Sequence, residues 1–135
     1  MNWNILFDTL LAKTRMILEH GMEVLAVAFI IKPNEPPIII GLPYKNEKEK
    51  LVLYAHVSQK AREENAIGVF LINDTWIRPM GEAIYGQLVL PDGSVSQSTV
   101  MPYKRDGGRI VWGPTVHDPA SIQKLLPPWK DTKPC

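Results

Sequence analysis

Two short turns leave the second half of this chain little choice of fold. Pro91-Asp-Gly93 and Arg105-Asp-Gly-Gly108 separate segments of alternating apolar and polar residues at 82–90, 95–103 and 109–112. Connections this short join antiparallel neighbours, because a parallel crossover needs a dozen or more residues. Residues 82–112 therefore read as a meander whose strands pair in sequence order. A second hairpin is signalled upstream. The β-branched run at 23–31 belongs inside a sheet, the three prolines of Lys32-Pro-Asn-Glu-Pro-Pro37 remove donors and fix φ, and residues 38–42 return as a strand. Residues 66–72 form one more buried run, after which polar groups begin abruptly at Asn73 and continue as a loop through Arg78.

Two stretches carry the helical period. Trp3, Leu6, Phe7, Leu10, Leu11, Ile17 and Leu18, with Thr14, fall on one stripe opposite Asp8, Lys13, Arg15 and Glu19. Asn2 or Asn4 can cap this helix, and Gly21 suits its end. Asn46 and Glu49 form a capping box, each side chain positioned to bond the other residue's amide, at the head of a segment running to about residue 65. Its stripe is Leu51, Tyr54, Ala55, Ser58 and Ala61. Val52, Leu53 and Val57 widen the apolar surface, which implies that more than one side of this helix is covered. Residues 117–126 can form a short last helix. The proline-rich tail 127–135 has no periodicity, and Trp129 is expected to anchor it on something apolar.

The implied fold is α+β: a single antiparallel sheet of five to six strands, two long helices packed on one face in two or three layers, and a short C-terminal helix. One domain spans 1–126, followed by the tail. At 135 residues about two-thirds of the surface can be buried, so no metal or disulfide staple is required. Cys135 stands alone, which excludes an intrachain disulfide. Net charge is +1, with −2 over residues 1–100 and +3 over 101–135, too little for nucleic-acid binding by counterion release. Asp8, Lys13 and Arg15 interrupt the N-terminal apolar pattern, against a signal peptide, and the longest apolar run, 24–31, is far too short to cross a bilayer. These features lead to an expectation of a cytoplasmic protein without membrane contact.

The order helix, strand, strand, helix and then three or four strands, over residues 3–126, resembles roadblock-type dynein light chains and the related longin and profilin-like modules. That resemblance implies dimerisation or partner binding. In local wording, Gly21-Met-Glu-Val-Leu-Ala-Val-Ala-Phe29, Gly68-Val-Phe-Leu-Ile-Asn-Asp-Thr-Trp76 and Tyr103-Lys-Arg-Asp-Gly-Gly-Arg-Ile-Val-Trp-Gly113 are similar to an uncharacterised family of small bacterial proteins. This implies a bacterial or phage source and no particular activity.

Motifs for chemistry are sparse. His20, His56 and His117 have no metal-ligand spacing, so neither a metal nor a cofactor is expected. No G-x-S-x-G elbow or phosphate-binding glycine loop occurs, and Ser94, Ser96 and Ser98 read as turn and strand serines. One constellation mixes a carboxylate, a guanidinium and an indole at a strand end: Asn73, Asp74, Trp76, Arg78 and Glu82 could grip a polar ligand. Equally, it describes a solvated loop with an Asp74 to Arg78 ion pair. Arg105, Asp106 and Arg109 form a weaker cluster. The leading expectation is a non-enzymatic module that homodimerises or binds another protein through Leu51, Val52, Leu53 and Val57, a sheet edge, or Trp129. A small-molecule-binding module or minor enzyme using the Asn73 to Glu82 region is the alternative, and a phage structural component a third reading.

Overall fold

Gly107 and Gly108 both adopt positive φ, +54° and +83°, in the two-residue turn whose twist matches that of its flanking strands. This sets Asp106 opposite Arg109 and fixes the register of the last hairpin. In the preceding hairpin the Gly93 amide donates to the Leu90 carbonyl at 2.8 Å, and Asp92 Oδ1 accepts from the Ser94 amide at 2.9 Å. A computed structural model describes residues 3–77, 81–117 and 126–130. The elements are α1 (Trp3–Glu19), β1 (Val27–Ile31), β2 (Ile38–Gly41), α2 (Glu47–Glu63), β3 (Gly68–Ile77), β4 (Gly81–Val89), β5 (Val95–Asp106), β6 (Arg109–Trp112) and β7 (Val116–His117).

The protein is α+β with one antiparallel sheet in the order β2-β1-β3-β4-β5-β6, and β7 lies against β5. Residues 22–26 precede β1 as irregular chain, so the first strand is shorter than its apolar run. From edge strand β2, α2 carries the chain across β1 to its other neighbour, β3. The short loop after α2 is held by Lys32, whose Nζ lies 2.8 Å from Glu64 Oε2.

Both helix ends follow local rules, with one difference. α1 closes with the paired bonds of a Schellman motif, Met22 N to Ile17 O at 3.1 Å and Gly21 N to Leu18 O at 3.0 Å. Asn4 lies within α1, where its side chain meets Gln97, and Asn2 falls outside the described residues. At α2, Asn46 Oδ1 accepts the Glu49 amide at 2.9 Å as expected. The return bond is displaced: Glu49 Oε2 accepts the amide of Lys45, at 2.7 Å. Asn46 is fully extended (φ −152°), which carries the preceding amide into the carboxylate's reach.

The helices lie on opposite faces of the sheet, which is the three-layer form of the two expected and corrects the placement of both helices on one face. Phe70 and Ile72 of β3 pack in one core with Phe7, Leu10, Leu11 and Leu18 of α1. Val69 and Leu71, the alternate residues, pack in another with Tyr54, Val57 and Ala61 of α2. A strand apolar at every position from 69 to 72 needs cover on both sides. α1 comes close because Gly86 has no side chain; a Cβ there would lie 2.9 Å from Leu11 Cδ2 and 3.3 Å from Phe7 Cζ. Phe7 then stacks on Phe70 at 5.1 Å between ring centres.

The C-terminal region departs most from expectation. His117 is a strand residue of β7, opposite Thr99, rather than the start of a helix; residues 118–125 of that expected helix lie outside the described residues. Within the tail, Leu126 and Trp129 enter the α2-side core. Trp129 Nε1 donates to Ala66 O at 3.1 Å, and the amides of Trp129 and Lys130 both donate to Pro91 O. Ser58 Oγ donates to Pro127 O at 2.7 Å, and Arg62 Nε to Trp129 O at 3.1 Å. Trp129 therefore ties the tail to the α2–β3 loop through its indole and to α2 and the β4–β5 turn through its backbone. Trp129→Ala should cost about 3–5 kcal/mol, read as a lower urea midpoint, by leaving a cavity and an unpaired Ala66 carbonyl; an unchanged midpoint would contradict this role.

Candidate functional site

The polar stretch beginning at Asn73 is strand rather than loop. Residues 73–77 of β3 pair with β4 in unbroken register, from Asn73 opposite Tyr85 to Ile77 opposite Gly81. The partner strand supplies ladder bonds that the local sequence does not signal, so polarity marks the end of the apolar core and not the end of the strand. The pleat sends successive side chains to opposite faces. Asn73 and Asp74, adjacent in the constellation, are thereby separated by the sheet.

Asp74 continues the α1-facing side of Phe70 and Ile72. Each of its carboxylate oxygens lies 2.8 Å from the Tyr103 hydroxyl. Glu82, on the same face, lies with Oε2 3.5 Å from Arg105 Nε, and the Arg105 guanidinium sits 5.7 Å from the Tyr103 ring centre. Partial burial raises the Asp74 pKa above its ordinary value, against the opposing hydrogen bond from Tyr103, with the Glu82 charge adding to the rise. Burial likewise raises the Tyr103 phenol, and the Asp74 carboxylate adds to it. The expected Asp74 to Arg78 pair lies outside the described residues because Arg78 does; among them Asp74 accepts from Tyr103. Trp76 is placed by its backbone opposite Glu82.

On the α2-facing side, Asn73 Nδ2 makes a long bond to the Tyr44 hydroxyl, 3.4 Å, while Asn73 Oδ1 is buried with no hydrogen-bond partner among the described residues. Gln87 Nε2 donates to the Tyr85 hydroxyl at 3.0 Å, and the buried Ser98 lies 3.5 Å beyond it. Burial also raises the phenol pKa of Tyr54. Tyr54, Asn73 and Tyr85 line a shallow crevice with Leu42 and Leu71, partly open to solvent and too narrow to admit a water molecule. Tyr85 and Gln87 had no signal in the sequence beyond strand alternation, and the register of β3 and β4 brings them beside Asn73; Tyr44 comes from the segment before α2 and Tyr54 from the buried stripe of α2 itself.

The second candidate region is the surface of α2. Val57 is fully buried against the sheet and Leu53 half-buried, whereas Leu51 and Val52 are 64% and 50% exposed. The four residues proposed as one contact surface are thus divided by the helical period. Trp129, the fifth, is buried within its own chain.

The remaining residues are dispersed. His56 is exposed, His20 Nδ1 lies 2.7 Å from Met16 O, and His117 Nδ1 lies 3.2 Å from Thr99 Oγ1. Asp106 and Arg109 are exposed at the tip of the last hairpin, and only Arg105 joins the Asp74 group. Among the described residues no cluster of three metal-ligating side chains occurs, and no helix is long and apolar enough to cross a membrane. Compared with known proteins, the chain matches no protein-family model, no curated sequence and no solved structure.

The raised pKa of Asp74 has a defined consequence for stability. The folded state binds this proton more tightly than the unfolded state, so stability falls as pH rises from the ordinary value of 3.8 through the raised one, and the loss persists at neutral pH. Asp74→Asn keeps an acceptor for Tyr103 and removes the charge. It should raise the melting temperature at pH 7, with a smaller gain where aspartate is protonated in both states. A lower melting temperature at pH 7 would show that the ionised carboxylate stabilises the fold.

Proposed function

We propose that this chain is an association module that meets another polypeptide through the outward side of α2. The observation carrying this reading is that Leu51 and Val52 project into solvent from a helix whose opposite side already fills a complete core with Tyr54, Val57 and Ala61. Two adjacent large aliphatic residues on the outer side do nothing for the fold of the single chain. They cost solubility there, and burying what is still exposed against a partner would recover about 1–2 kcal/mol for each side chain.

The ligand-binding alternative draws on one observation, the unpartnered Asn73 Oδ1 at the cleft beneath α2. It requires that cleft to widen before anything enters. The α2 surface requires no rearrangement, which favours association.

The double substitution Leu51→Ser and Val52→Ser tests the reading. Native mass spectrometry of the purified wild-type chain should show a complex, either multiples of 15.2 kDa or an added polypeptide mass. The double variant should lose it while its melting temperature stays close to wild type, because the substituted side chains are exposed. Complexes retained in full by the variant would sink the proposal.

A further inference from the structure

The outward residues of α2 carry a pattern that names the partner, on the reading that α2 is the contact surface. Lys48, Val52, Ala55, Gln59 and Glu63 follow one another at spacings of four, three, four and four, and so form a single stripe; every one of them is exposed. The stripe has a cation at its first position, an anion at its last, and a small residue at its middle. Leu51 flanks it.

We infer that the partner is a second copy of this chain, with the two α2 helices antiparallel about a two-fold axis near Ala55 and His56. A two-fold interface must be complementary to itself. Antiparallel pairing meets that condition: Lys48 faces Glu63 of the other copy twice over, Val52 lies opposite Gln59, and Ala55 allows the helices to approach at the axis. Parallel pairing would set like charges against each other at both ends. The neighbouring charges are already engaged within the chain, Glu47 with Lys50, Lys60 with Glu64, and Arg62 with the Trp129 carbonyl. Lys48 makes no ion pair among the described residues, and Glu63 accepts only a 3.3 Å bond from Gln59.

The stripe is small beside the roughly 20–30 residues per side of a standard interface, so the dimer belongs to the weak, concentration-dependent class. Within one helix Lys48 and Glu63 are about 22 Å apart, at 1.5 Å per residue, so neither can compensate for the other inside a single chain.

Sedimentation equilibrium of the full chain, from about 5 µM to about 500 µM to span the weak-dimer range, decides the matter. The variants are Lys48→Glu, Glu63→Lys and the two combined. Each reversal should weaken the dimer by about five- to thirtyfold, since two symmetric exposed pairs turn from attraction to repulsion, and the combined variant should recover to within about twofold of wild type. Added salt should weaken the wild-type dimer. Loss of association in the single variants is not a folding defect, because Glu in the first turn and Lys in the last both favour the helix dipole; circular dichroism and melting temperature check this directly. A dimer indifferent to the single reversals overturns the antiparallel pairing. A wild-type chain that is monomeric throughout overturns the second-copy assignment. If that monomer still carries another polypeptide that Leu51→Ser/Val52→Ser releases, the broader association reading stands without it.

Discussion

β3 is hydrophobic on both faces, and the rest of the architecture answers that constraint. Phe70 and Ile72 would be left in water if α1 moved away, and Val69 and Leu71 if α2 did. A half-buried strand in a two-layer protein alternates apolar with polar; this one does not until Asn73. Two helices are available, and each supplies one cover. The position of β3 between β1 and β4 follows, because a strand with both faces closed and both edges paired leaves its polar backbone groups bonded within the sheet. Gly86 on the neighbouring strand completes the arrangement by letting α1 approach.

Where β3 outruns its apolar run, the sheet changes character. Its last residues place polar groups on two separate faces: Asp74 with Tyr103, Glu82 and Arg105 on one, Asn73 with Tyr44 and the Tyr85, Gln87 and Ser98 chain on the other. Buried polar groups cost stability unless they are bonded; Tyr103 bonds Asp74, whereas Asn73 Oδ1 has no partner among the described residues. On the first face the geometry is a carboxylate held by both its oxygens to one phenol. The association proposed through α2 draws on none of these groups.

Much of the fold was legible locally because the determining interactions are short in sequence. The turns at Gly93 and at Gly107-Gly108, the Schellman end of α1 and the Asn46 cap each depend on residues within six positions of one another. The misread features share the opposite property. The extension of β3 to Ile77 depends on β4, and the fate of His117 depends on Thr99 of β5. Trp129 anchors the tail on an apolar core as its sequence implied, but where it does so depends on Ala66, Pro91 and Arg62. Even the capping box shows the limit, since a small change in backbone direction at Asn46 moved Glu49 onto the amide of Lys45.

The amino-acid order by itself determined the kinds of elements, their sequence and the antiparallel sense of the hairpins, because hydrophobic period and turn chemistry act over a few residues. It also determined the charge pattern along α2, which is a property of one helix. Tertiary structure alone decided which face each helix covers, that neighbouring Asn73 and Asp74 part company across the sheet, and that the tail's tryptophan closes its own core. Those outcomes depend on register and on contacts between segments far apart in the chain, where no local propensity carries the information.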